Sequence, residues 1–275
     1  MIKTILEMFT YPFMRNAIVV GILVALCSAL LGSSLVLKRF SMIGDGLSHA
    51  GFAALAVAYA MNLAPLVVAI PICVLAAFLL LRMNENSKIK GDAATALMCS
   101  GSLAIGVMTV SLTTGMNTDV CNYMFGSILA MSKLDVTISL VLSITVIFLF
   151  VIFYTRIFAV TFDETFSKAT GVKSDLYNMI IAILTAVTVV LGMRMMGTLL
   201  ISSLIVFPSL SAMRVCKRFK SVIITSVLLS MGCFCSGIYI SYVYSTPTGA
   251  SIVMANIFIF IILFLIEKIR EKVPR

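Results

Sequence analysis

The sequence predicts an all-α fold, a polytopic transmembrane helical bundle of about eight or nine helices, and three observations carry that reading. Of the 275 residues, 61% are hydrophobic and 11% charged, with a mean hydropathy of +1.15. Ordinary soluble domains run to about 45–50% apolar and about 25% charged. The charged side chains gather in short clusters between long apolar runs. Finally, crossing a hydrocarbon core about 30 Å thick takes roughly 20 apolar residues, so the chain has room for about eight to ten passes and little else. A single transmembrane domain over residues 1–275 follows.

In chain order, the first helix is expected over Ala17–Leu37, bounded by Arg15 and by Lys38/Arg39. The second and third, Leu47–Met61 and Leu66–Leu81, are parted only by Asn62 to Pro65, and a re-entrant pair there would change the count by two. Ala93–Thr114 follows the Arg82/Lys88/Lys90 loop, and Leu134–Tyr154 runs from Lys133 towards Arg156. Leu176–Leu191 and Thr198–Met213 flank Arg194. Val222–Tyr242 follows the Arg214/Lys217/Arg218/Lys220 cluster, and Ser251–Ile266 precedes the basic end.

Alternate loops collect sixteen basic residues on one side and leave Lys3, Arg15, Lys133 and Arg194 on the other. The positive-inside rule makes the first side cytoplasmic. The N-terminus is then outside, the C-terminus inside and the number of crossings odd. On the outer side, Gly115 to Lys133 contains Asp119 and the apolar stretch Tyr123–Met131, too short to span and read as re-entrant or interfacial. The opening residues, with Glu7, Pro12 and Arg15 among apolar neighbours, read as no removable signal peptide.

Several function classes are excluded. The net charge of +9 sits in short flanking loops and forms no broad basic face interleaved with aromatics, so nucleic acid is not a partner. There is no GxxxxGK[ST] phosphate loop and no HExxH. If ATP drives this protein, another subunit binds it. Ser48 beside the sole histidine, His49, is a poor imitation of a hydrolase dyad, because adjacent helical residues do not face each other. The seven cysteines include no CxxC pair, and Cys233 and Cys235 point about 200° apart on a helix. They read as small packing residues, and no permanently bound cofactor is expected.

Ionisable groups inside apolar segments are costly unless paired, hydrated or in use. The sharpest case is Ser41-Met-Ile-Gly-Asp45-Gly-Leu-Ser-His49-Ala-Gly51. Asp45 and His49 are i,i+4 and share one helix face. Carboxylate and neutral imidazole are ligands that zinc, manganese or ferrous iron accepts. Two ligands suit a site that releases its ion, and two copies about a two-fold axis would assemble Asp2His2. Gly44, Ser48 and Gly51 form a small-residue stripe that would let such helices approach closely. The alternative is an Asp–His hydrogen bond that caps the helix.

A second stretch, Thr161 to Val172, has the capping-box spacing at Thr161 and Glu164, with Gly171 ending a helix of about nine residues. Phe162, Phe166 and Ala169 would line one apolar stripe, suited to a partner's groove or to lipid headgroups. In the seventh helix, Pro208 and the serines at 202, 203, 209 and 211 suit either a pathway wall or helix packing, with packing preferred.

Taken in order, Leu37-Lys-Arg-Phe-Ser-Met-Ile-Gly-Asp45-Gly-Leu-Ser-His49-Ala, Gly91-Asp92-Ala, Asp119 to Leu129 with Tyr-Met-Phe-Gly126, Phe162-Asp-Glu-Thr-Phe-Ser-Lys-Ala-Thr-Gly171-Val, Met196 to Pro208 and Thr246-Pro-Thr-Gly-Ala-Ser251 resemble the membrane permeases of bacterial zinc and manganese ABC importers. The resemblance runs along nearly the whole chain. It implies a homodimeric permease in the cell membrane, related in fold to the vitamin B12 and siderophore importers. Its partners would be two ATPase subunits and an extracytoplasmic metal-binding protein. By the same resemblance, Asp45 and His49 match the metal-pathway pair, and Phe162, Asp163, Glu164, Phe166, Ala169 and Gly171 belong to the ATPase-docking loop. The Tyr-Met-Phe-Gly, Ile-Ser-Ser-Leu-Ile and Thr-Pro-Thr-Gly segments look closer to the zinc branch. The expected function is therefore ATP-driven uptake of a divalent metal, zinc favoured over manganese or iron, with an ion-coupled secondary carrier as the competing class.

Overall fold

The computed structural model describes residues 10–86, 91–113 and 132–272. Within them the chain forms α1 (Pro12–Leu37), α2 (Ile43–Ala60), α3 (Pro65–Asn86), α4 (Gly91–Leu112), α5 (Lys133–Ile152), α6 (Tyr154–Phe162), α7 (Glu164–Ala169), α8 (Ser174–Met196), α9 (Thr198–Val215), α10 (Phe219–Tyr244) and α11 (Thr248–Lys272). All nine long helices expected from the apolar runs are present. The expected outer segment with Asp119 and Tyr123–Met131 lies outside the described residues.

Local chemistry sets several of the boundaries. Proline opens α1, where its missing N–H costs nothing. A capping box opens α5: the Asp135 N–H donates to Ser132 Oγ at 3.1 Å, and the Ser132 N–H donates to Asp135 Oδ2 at 3.1 Å. Between α8 and α9 the chain turns at Gly197 with φ +87° and ψ 164°, a conformation reserved for glycine.

Two sets of contacts identify the ends of the bundle. At one, Lys38 after α1 meets Glu164 of α7 and Asn178 in the second turn of α8. At the other, Arg194 in the last turn of α8 binds Tyr59 near the end of α2 and Asp135 in the first turn of α5. Consecutive long helices therefore alternate in direction between a Lys38 end and an Arg194 end. Eight are long and apolar enough to cross a membrane. The remaining long helix, α2, has 18 residues but is diluted by Gly44, Asp45, Gly46, Ser48, His49 and Gly51.

That composition matches its position. Within one chain α2 packs against α3, α4, α8 and α9. The most hydrophobic windows of α1 and α8 are each 72% buried, whereas those of α4 and α11 are 17% and 22% buried. Small residues permit the close approaches. A Cβ on Gly32 would overlap the Ile205 carbonyl oxygen of α9, and one on Gly51 would come within 2.5 Å of the Met193 methyl of α8.

Two expectations need correction. The Gly44, Ser48 and Gly51 stripe is buried inside the single chain, with Gly44 against Ile205 and Gly51 against Met193, and is not the surface through which a second copy of α2 would approach. The capping box at Thr161 does not form either. Thr161 is buried in the last turn of α6, because Ile157, Val160 and Thr161 face the bundle and carry that helix on to Phe162. Asp163 caps α7 instead, its Oδ1 accepting from the Phe166 N–H at 2.8 Å, and α7 has six residues rather than about nine.

Candidate functional site

Asp45 lies in the first turn of α2 and His49 one turn later, both half-buried. Their side chains share a face as the spacing predicts, with His49 Nε2 at 3.9 Å from Asp45 Oδ1. That separation is too long for a hydrogen bond, so the pair does not serve as a simple cap. The N-cap of α2 is Met42, which makes no side-chain capping bond. Ser48 Oγ donates to the Asp45 backbone carbonyl at 2.8 Å, so its hydroxyl is committed to its own helix and is not poised against His49.

Two neighbouring helices complete the site. From α9, Ser202 Oγ donates to Asp45 Oδ1 at 3.4 Å. From α4, Cys99 Sγ approaches Asp45 Oδ2 at 3.7 Å. One donor atom each from Asp45, His49 and Cys99 lie within 4.8 Å of one another. Among the described residues this is the group of His, Cys, Asp and Glu side chains placed to hold a metal ion. The sequence reading missed Cys99, which lies 54 positions from Asp45 on another helix; only the packing of α4 on α2 reveals it. The other serines of α9 support the packing reading: Ser209 Oγ lies 3.4 Å from Ser33 Oγ and 3.3 Å from Ser226 Oγ. Ser202 is the one of the four seen to join the carboxylate.

Towards the Lys38 end, a cavity of about 300 Å³ opens between the α1–α2 turn and helices α3 and α4, lined by residues that include Lys38, Arg39, Leu80, Asp92 and Thr95. Gly46, next to Asp45 in sequence, packs on the wall of this cavity: a Cβ there would sit 3.0 Å from Thr95 Cγ2 and 3.5 Å from Leu80 Cδ1, both lining residues.

The residues expected to dock the ATPase cluster at the same end. Glu164 accepts from Lys168 at 3.0 Å, from Asn178 Nδ2 at 3.1 Å and from Lys38 at 3.5 Å. Partial burial alone would push the Glu164 carboxyl up, but hydrogen bonds from Lys168 and Asn178 and the Lys38 charge hold it below its ordinary value. Lys168 also pairs with Asp175 at 2.9 Å, and its two carboxylate partners raise its proton affinity. Phe162 is 59% exposed, with its ring 4.9 Å from Phe158 and edge-on to Phe219 at 5.6 Å. Phe166 projects with 65% of its surface exposed, beside the exposed Ala169. Gly171, φ +81°, turns the chain away from α7. Phe162 and Phe166 thus sit on consecutive helices rather than on one stripe.

The profile of the ABC 3 transport family matches residues 10–267. The manganese import system permease protein ScaB of Streptococcus gordonii is 29% identical over 265 residues, covering 96% of this chain and 95% of that protein. The high-affinity zinc uptake system membrane protein ZnuB of Haemophilus influenzae is 27% identical, covering 92% of this chain and 97% of its own. A protein of the same organism described as a probable iron transport system membrane protein is 28% identical, covering 99% of this chain and 100% of its own. Among solved structures, PsaBC from Streptococcus pneumoniae in complex with Fab superposes with a TM-score of 0.86 at 28% identity, covering 96% of this chain and 95% of that one. A metal-chelate type ABC transporter in an inward-facing conformation shares the fold, with a TM-score of 0.76 at 14% identity and coverage of 92% and 85%.

Proposed function

The chain belongs to the ABC 3 transport family and is a multi-pass membrane permease of a metal-uptake ABC system, and from that premise we propose that it carries zinc, contacting the ion through Asp45 and His49. The observation that carries this reading is the convergence of one carboxylate and the sole imidazole, half-buried, on a helix too polar to be an ordinary lipid-facing span. An imidazole donor suits zinc or ferrous iron better than manganese, for which carboxylate, carbonyl and water oxygens are the better-matched ligands. The related proteins are named for manganese, zinc and iron, so the donor chemistry of this chain, with its zinc-like segments, supports the choice.

The permease works as a homodimer. An extracytoplasmic metal-binding protein delivers the ion at the Arg194 end, and the ion passes Asp45 and His49 and leaves through the cavity above Lys38 and Asp92. The Lys38 end faces the cytoplasm, where basic loops accumulate. There an ABC ATPase subunit docks on Phe162, Asp163, Glu164, Phe166, Ala169 and Gly171, an exposed aromatic surface rimmed by charge. Nothing is held permanently, because the cation is cargo.

The test is uptake of radioactive zinc, with manganese as a parallel tracer, in metal-starved cells expressing the permease with its ATPase and carrier. Zinc-selective uptake falling at least about tenfold in His49→Ala at matched expression is the expected outcome, the scale of losing a direct ligand or its support. Equal uptake by both chains would remove His49 from the pathway.

A further inference from the structure

Asp45 and His49 come from one helix, but the third donor does not. Cys99 lies on α4, one turn after Thr95, on the face that meets α2. The two helices approach closely because Gly46 lies under Thr95 and Gly106 of α4 receives the Phe52 ring of α2. This contact brings Cys99 Sγ to 3.7 Å from Asp45 Oδ2, while Oδ1 of the same carboxylate faces His49 Nε2 at 3.9 Å.

Bonds of about 2.0 Å to nitrogen and oxygen and about 2.3 Å to sulfur set tetrahedral donor separations of roughly 3.3–3.6 Å. The imidazole nitrogen at 3.9 Å from one Asp45 oxygen and the sulfur at 3.7 Å from the other are close enough that small side-chain rotations bring the three groups to that spacing. The largest separation in the group is no more than 4.8 Å. Ser202, donating to Oδ1 at 3.4 Å, is placed to orient the carboxylate rather than to bind the ion.

We propose that Cys99 is a third ligand to the transported cation, supplied as a thiolate by the same chain, and that it biases the pathway towards borderline-soft divalent ions, zinc above all, and against manganese. This rests on the assignment of Asp45 and His49 as metal contacts. On binding, the S–H bond breaks as the metal–sulfur bond forms, and the proton leaves to water; no oxidation state changes. Thiolate selects zinc and similar ions, whereas manganese gains little from sulfur. Three protein ligands leave the fourth position open, as in sites that exchange what they hold, unlike the closed four-ligand sites that keep zinc for good.

The test uses the full-length chain in detergent micelles, titrated with cobalt(II) in place of zinc. Wild type is expected to show both visible d–d absorption and a near-ultraviolet sulfur-to-cobalt charge-transfer band. Cys99→Ser should lose the band and keep the d–d absorption, and the zinc concentration needed to displace cobalt should rise about tenfold, with manganese displacement nearly unchanged. Zinc should also protect Cys99 from thiol alkylation in wild type, read by peptide mass spectrometry, which keeps the proposal testable if Cys99→Ser fails to fold. A d–d spectrum without the band would overturn the proposal and leave Asp45 and His49 as ligands, alone or paired with a second copy's. A band that survives in Cys99→Ser, or alkylation of Cys99 indifferent to zinc, would overturn it as well. No cobalt absorption in wild type would remove the Asp45–His49 assignment, and Cys99 with it.

Discussion

Arg194 Nη2 and Asp135 Oδ2 stand 2.8 Å apart, their side chains only 15% and 7% exposed. Tyr59 accepts from the other guanidinium nitrogen at 2.8 Å, so the pair fastens the ends of α2, α5 and α8 together. Replacing Asp135 by Leu strands a desolvated cation and should cost about 3 kcal/mol, read by unfolding in detergent. Adding Arg194→Met should recover most of that loss. A single variant as stable as wild type would show the pair to be solvated.

Gly197 provides a second check on the same end. Its φ of +87° with ψ of 164° admits glycine alone, so Gly197→Ala should destabilise the protein by about 1–3 kcal/mol in the same measurement.

At the Lys38 end the test is pH. Because the folded protein holds the Glu164 carboxyl below its ordinary value, that group stabilises the fold fully at neutral pH. The contribution begins to fall once pH drops below the ordinary glutamate value and is gone when pH has passed through the lowered one. The melting temperature of wild type should therefore fall more steeply on acidification than that of Glu164→Gln. Parallel slopes would show that the Lys38, Lys168 and Asn178 contacts leave the carboxyl unperturbed.

Phe166→Glu places a charge at the centre of the proposed ATPase contact, and co-purification of the ATPase subunit should be lost while the permease still inserts and folds. Retention with unchanged ATP hydrolysis would assign the aromatic surface to another role, such as resting on lipid headgroups.

The helices were legible in the sequence because a membrane imposes a length and an apolar content on each of them, and the Asp45–His49 pair because four-residue spacing fixes a shared face. The cap of α7 was not, since Thr161 and Asp163 are both competent cap residues and the choice between them was made by the burial of Ile157, Val160 and Thr161 against the bundle. Contacts across the bundle were equally hidden. Asp135 and Arg194 are 59 positions apart and Asp45 and Cys99 are 54, and no local pattern in either partner points to the other. The small stripe of α2 was visible, but whether it serves a neighbouring helix of the same chain or a second copy depends on tertiary packing.

The glycines of α2 also constrain how such a protein can change over evolutionary time. A side chain added at Gly44, Gly46 or Gly51 meets the side-chain ends of Ile205, Thr95 or Met193 at 3.0 Å or closer, so a new donor at any of these three positions requires its neighbour to move. Positions 99 and 202 each reach Asp45 from a separate helix by a single side chain. Under the proposed assignment, ion preference can diverge between descendants through single substitutions on α4 or α9, while the helix bearing the carboxylate and imidazole stays as it is.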